Sequence, residues 1–147
     1  FTVSAVVATE RGSRALARSE SAGIPGYEVD AAIFPNAATF TRALTAKLLD
    51  LDADIAILVG VEPEPEEGLY RAFAGRCVCL RIARGADTVS AAAVLADADG
   101  SEARRFGRVS VPAVPDESAA ALHRRLTENG AGQLLSDALK QFMRDFH

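Results

Sequence analysis

The stretch Asp54-Ile55-Ala56-Ile57-Leu58-Val59-Gly60 decides the fold class. Ile55 to Val59 is a continuous apolar run bounded by turn residues, the pattern of a strand covered on both faces inside a parallel sheet. A central parallel strand is expected there. Its flanking strands are expected from two other β-like runs, Thr2 to Thr9 (TVSAVVAT) and Cys77 to Ala83. Between them the pattern turns helical. Ser13 to Ala22 reads as a short helix stopped by Gly23 and Pro25, and a brief strand follows at Tyr27 to Val29. Phe40, Leu44, Leu48 and Leu51 then form one apolar stripe, on a helix that Pro35 or Asn36 starts and Asp50, Asp52 and Asp54 close.

Downstream, the acidic turn Glu62-Pro63-Glu64-Pro65-Glu66-Glu67 leads into a helix with Leu69 and Phe73 inward and Gly75 at its end. Carboxylates there suit a helix start. Val89 to Leu95 and Arg104 to Val111, joined by Asp97 to Gly100, read as an antiparallel hairpin. Asp116 is expected to cap a long helical region carrying Leu122, Leu126, Leu134, Leu135, Leu139, Phe142 and Phe146. Asn129-Gly130-Ala131-Gly132 could end one helix or kink a continuous one.

The whole is an α/β chain: a mostly parallel sheet with helices on both faces, then a C-terminal antiparallel hairpin and a long helix. At 147 residues it is expected to be one domain, residues 1–147. The composition, 49% hydrophobic and 24% charged, excludes a disordered or collagen-like chain. No apolar run approaches the ~20 residues of a membrane helix, so no membrane role is expected. A net charge of −4 without a basic cluster gives a nucleic-acid role no electrostatic support. Cys77 and Cys79 stand too close for an ordinary disulfide and no signal-like segment opens the chain, so the cytoplasm is the expected compartment.

Sites in open α/β sheets sit at the carboxyl ends of strands. The places to inspect are therefore Glu10 to Ser13, Gly60 to Pro65, Arg81 to Asp87 and Asp97 to Gly100. Cys77, Cys79 and Arg81 alternate along one strand and share a face. A guanidinium beside Cys79 could activate the thiol, although a structural thiol is the commoner outcome. Gly12 and Ser13 follow a strand and open a helix, where backbone N–H groups can take a phosphate; a plain turn is the simpler reading. His123 and His147 have no partner at ligand spacing, and one Cys-x-Cys pair is a weak zinc signal, so no metal is expected.

Read end to end, this order of segments resembles the glycinamide ribonucleotide formyltransferase family, folate-dependent enzymes of purine synthesis. The residues that carry the resemblance are Ala22-Gly23-Ile24-Pro25, Phe34 to Leu44, Asp54 to Gly60, Tyr70 to Arg76 and the hairpin Thr88 to Gly100 that ends in an Asp. It implies a Rossmann-like formyltransferase sheet. It also implies a catalytic set at Asp99, Cys79 and Arg81 and a folate-contacting segment at Gly60, Val61, Glu62, Pro63 and Glu64, while substrate contacts at Gly12 and Ser13 follow from the strand-to-helix turn and from the alternative register alone. The family's first strand and phosphate loop would precede Phe1. In an alternative register Thr2 to Thr9 is that first strand and Gly12-Ser13 a remnant of the loop.

The departures fall on the working residues. Where the family carries Asn-x-His-Pro, this chain reads Cys79-Leu80-Arg81-Ile82, and only the third member of the set is kept, as Asp99. Ala37 replaces a phosphate-contacting Arg, and Glu62-Pro63-Glu64-Pro65 reverses the charge of the folate segment. The expectation is a degenerate or truncated, inactive domain that binds, dimerises or regulates, with a homo-oligomer or a protein partner and no cofactor. If the family activity is kept, the cofactor is 10-formyltetrahydrofolate. The alternatives are an active transferase or hydrolase with an altered site around Asp99, and a small-molecule sensor using the old folate cleft. A buried Arg81 would need a counter-charge, and Asp99 is the expected one.

Overall fold

The computed structural model describes residues 3–61 and 63–145. The chain divides into two compact units. The first takes its described residues from 1–56, 61–77 and 97–101; the second takes them from 57–60, 78–96 and 102–147.

In the first unit, β1 (Val6–Ala8) pairs parallel with β2 (Gly26–Glu28), joined by α1 (Arg14–Ser21). Ser13 caps α1 by accepting the Ala15 N–H at 3.1 Å. A 3-10 turn at Ala31–Ile33 leads to α2 (Ala37–Asp50), whose first turn is capped by Asn36 Oδ1 accepting the Thr39 N–H at 2.9 Å. The apolar stripe of α2 puts Phe40 and Leu44 in the core, and α3 (Glu67–Ala72) packs against it with Leu69, Tyr70 and Phe73 buried. Glu66 precedes α3 without capping it through its side chain. Its own N–H is instead satisfied by the buried Thr41 Oγ1 of α2, at 2.9 Å. An orphan donor at a helix start is thereby paired across two helices.

A four-stranded sheet is ordered β3-β4-β5-β6, from β3 (Ala56–Val59), β4 (Cys77–Arg84), β5 (Thr88–Ala96) and β6 (Glu102–Pro112); all of it except Ala56 and Cys77 belongs to the second unit, which also holds α4 (Ala119–Glu128) and α5 (Ala131–Asp145). Strands β4, β5 and β6 form an antiparallel meander. Val89, Ala91 and Val111 line one of its faces and pack with Leu122 and Leu126 of α4 and Ala131 of α5. Each of the two leucines contributes roughly 1.5–3 kcal/mol by leaving water. Helix α5 lies over β6 at Gly107, where a Cβ would stand 2.6 Å from Leu134 Cδ1, so a larger residue there would push that side chain aside.

Several expectations need correcting. Ile55 to Val59 is not central: β3 stands at the end of its sheet's order, and Ile57 and Val59 are 39% and 47% exposed while Ala56 and Leu58 are buried. Thr2 to Thr9 does not flank it. That run yields the three-residue β1, paired with β2 in a separate sheet; Val3 is exposed and Thr2 lies outside the described residues. The α/β class holds, with β1 and β2 parallel; the expected antiparallel hairpin is extended by β4 into a three-stranded meander. Asp116 does not cap the late helix. It turns the chain at φ +59°, and Ser118 caps α4 by accepting the Ala121 N–H at 3.1 Å. Asn129-Gly130 separates two helices, and Phe146 lies outside the described residues.

Between Asp116 and α4, Glu117 receives a two-point hydrogen bond from Arg125, Nε to Oε2 at 2.9 Å and Nη2 to Oε1 at 2.8 Å. These donors hold the Glu117 carboxyl below the usual glutamate range. A carboxyl depressed in the folded state contributes stability above its unfolded pKa and loses it as pH falls through its folded one. Glu117→Gln is therefore expected to flatten the acid limb of the stability curve below about pH 4.3. Urea melts of both proteins as a function of pH check this, and an unchanged acid limb would contradict it.

Candidate functional site

Within the first unit the expected site residues fall on three loops. Gly12 turns the chain at φ +68° with open space where a Cβ would stand, and Ser13 uses its hydroxyl as the cap of α1. Val61 is half-buried, Pro63 and Glu64 are exposed, and Glu62 lies outside the described residues. Asp99 is exposed in the turn that joins β5 to β6. Its Oδ1 accepts both the Ser101 hydroxyl, at 2.6 Å, and the Ser101 backbone N–H, at 2.9 Å. These bonds, the hydroxyl's first, hold the carboxyl below its ordinary range. Asp99 is thus a carboxylate at neutral pH, able to accept a proton or stabilise positive charge but not to serve as a general acid. Beside it Gly100, at φ +87°, lies against the ring of buried Tyr70: a Cβ would come within 2.9 Å of Cδ2.

Within the second unit, Cys79 and Arg81 share one face of β4. Cys79 is buried and Arg81 half-buried. Burial withholds the thiol from solvent and from any dissolved substrate, which fits the structural role. Arg81 carries a charge that does not titrate near neutral pH, so it can orient an anion but cannot shuttle a proton. Gly60 ends β3 at φ +61°, and the His123 imidazole of α4 lies over it, with Cε1 3.1 Å from where a Cβ would be. Sequence reasoning missed this neighbour, because no spacing rule links a strand end to a residue so far along the chain. The bond from Ser101 to Asp99, in contrast, had a legible signal, since Asp-Gly-Ser is ordinary turn chemistry.

Among the described residues no three His, Cys, Asp or Glu side chains gather as a metal site, and no helix is long and apolar enough to cross a membrane. Neither a family model nor a curated protein matches the sequence. Solved structures do match. Phosphoribosylglycinamide formyltransferase from Streptococcus pneumoniae TIGR4 superposes with a TM-score of 0.70 at 19% identity, over 97% of this chain and 88% of that one. Glycinamide ribonucleotide transformylase 1 from Symbiobacterium toebii gives 0.68 at 18% identity, over 90% of this chain and 72% of that one. A formyltetrahydrofolate deformylase from Pseudomonas syringae pv. tomato gives 0.71 at 14% identity, over 97% of this chain but only 52% of its own. With this agreement spanning nearly all of its length, the chain has the formyltransferase fold.

Proposed function

We propose that this is a formyltransferase-like domain that no longer transfers a formyl group and instead binds or regulates, through self-association or a protein partner. One observation carries the reading: the strand positions at which the resemblance expects a donor amide and a neutral imidazole hold a buried thiol, Cys79, and a guanidinium, Arg81. Formyl transfer needs a donor aimed at the developing oxyanion and a group that moves a proton near neutral pH. Loss of one oxyanion donor costs about 10²–10³ in rate, and loss of general acid–base help about 10²–10⁴. Asp99 alone replaces neither, because it is an acceptor held ionised by Ser101.

A second reading is favoured by the deformylase among the structural neighbours. A hydrolase needs water rather than an amine as the acceptor, so an altered site around Asp99 could suffice. Fold alone decides neither.

Purified protein incubated with 10-formyltetrahydrofolate and glycinamide ribonucleotide is expected to release no tetrahydrofolate above the no-protein control. Turnover that requires the ribonucleotide and disappears in Asp99→Ala would overturn the inactive reading. Release of formate without the ribonucleotide, again lost in Asp99→Ala, would establish the hydrolase.

A further inference from the structure

The first unit carries a groove that none of the expected site residues lines. It measures about 470 Å³ and is open to solvent. One wall is the face of α2 that presents Ala43, Ala46 and Asp50, at helical spacings of three and four. The other wall runs from Val29 through the 3-10 turn to Ile33 and Phe34. Alanine ends at Cβ, so the helix leaves the groove hollow, and Ile33 stands 74% exposed beside it. The rim is acidic. Glu28, Asp30 and Asp50 border it against a single cation, Lys47, whose ammonium lies 4.0 Å from the centroid of the Tyr27 ring. Glu28 and Asp50 are exposed and take part in no ion pair or side-chain hydrogen bond among the described residues. Asp50 also ends α2, where the helix terminus adds its own partial negative charge. An apolar hollow inside such a rim selects an apolar side chain that has cations beside it.

The chain itself carries that counterpart. Of the large apolar side chains exposed among the described residues, Met143 of α5 alone combines a cation three residues before it, Lys140, with another directly after it, Arg144. All three are exposed, and neither cation takes part in an ion pair or side-chain hydrogen bond among the described residues. The neighbouring acid, Asp145, is taken by Arg104 at 2.9 Å.

We propose that the acidic groove of one copy receives α5 of a second copy, with Met143 in the hollow against Ile33 and with Lys140 and Arg144 on the Glu28 and Asp50 carboxylates. The contact rests on the self-association reading above and gives that reading its surface. Methionine suits an irregular groove because its thioether chain is unbranched and adaptable. The stems of the two cations cover apolar surface while their charged ends reach the rim. Groove and helix are different patches, so the contact is heterologous: one copy's helix enters its neighbour's groove. A patch of this extent supports a weak, transient association rather than a permanent one.

Sedimentation equilibrium over a rising concentration series tests this, alongside amide chemical-shift mapping. The wild type is expected to exceed the mass of one chain as concentration rises, and less so at high salt, where the rim pairs are screened. Met143→Glu sets a carboxylate against the acidic rim, and Ile33→Asp removes the apolar wall that Met143 meets. Both positions are exposed, so both variants should fold, and each should weaken association about tenfold or more. Val114→Glu, at another exposed apolar residue, should associate as the wild type does. Mixed in equal amounts, the Met143→Glu and Ile33→Asp proteins should regain part of the association, because one brings an intact groove and the other an intact α5. A chain that stays monomeric at every concentration overturns the contact, and does so even where the formyl-transfer assay shows no turnover and leaves the inactive reading standing. Self-association untouched by both variants, or weakened equally by Val114→Glu, overturns it as well. A monomer whose amides at residues 28–34 and 43–50 shift with an unrelated basic amphipathic peptide assigns the groove to another protein and overturns the second copy.

Discussion

Phe40→Ala is expected to destabilise the protein by about 3–5 kcal/mol, the range for emptying a buried aromatic site. Phe40 is fully buried on the inner stripe of α2, with its ring centroid 6.0 Å from that of Phe34. The neighbouring residue, Thr41, spends its hydroxyl on the start of α3, so collapse of α2 into the cavity would break the bond to the Glu66 N–H. The site therefore relaxes poorly, and the loss should sit at the upper end of the range. Against a total of about 5–15 kcal/mol for a domain, that is a large share. Urea denaturation should show a lower midpoint with an unchanged slope. A loss below about 1 kcal/mol would mean that Phe40 does not organise this core.

Gly100→Ala is expected to cost about 2–4 kcal/mol, combining a left-handed backbone with overpacking. At φ +87° any L side chain is strained, and here the new methyl would also press into the ring of buried Tyr70. Gly12→Ala isolates the first contribution. Its φ of +68° is similar, but a Cβ there meets nothing within 4 Å, so about 1 kcal/mol is expected. Equal losses in the two variants would show that the Tyr70 contact carries no weight. The same comparison bears on function, because Gly100 lies between Asp99 and the Ser101 that orients its carboxylate. A turn displaced by the alanine would release Asp99 from that orientation.

Much of this architecture was legible in local chemistry. Asn36 before an apolar stripe located the start of α2, and Asp97 to Gly100 between two β-rich runs located the hairpin. Asn129 to Gly132 offered either a break or a kink, and the chain breaks there into two helices. The misplaced elements share a different cause. An apolar run such as Ile55 to Val59 looks the same in the middle of a sheet as at its end, since position is set by strands elsewhere in the chain. Asp116 and Ser118 are both good caps two residues apart, and only the left-handed backbone at Asp116 decides between them. At the site, alternation along β4 placed Cys79 and Arg81 on one face correctly.

The order of strands in the second unit also sets an order in time. The β4–β5 connection spans residues 85–87 and the β5–β6 connection 97–101, whereas β3 reaches β4 only after residues 60–76. A flexible loop roughly six times longer costs about 1.6 kcal/mol more to close. Hairpins of the shorter kind form in about 1–10 μs. The meander should therefore assemble as the nucleus, and β3 should be added to its side late. Pulse-labelled hydrogen exchange during refolding reads this directly: amides of β5 and β6 should be protected before those of β3, and simultaneous protection would place β3 in the nucleus. A late strand with Ile57 and Val59 half in water leaves a sticky margin on every partly folded chain. Refolding yield should consequently fall with protein concentration.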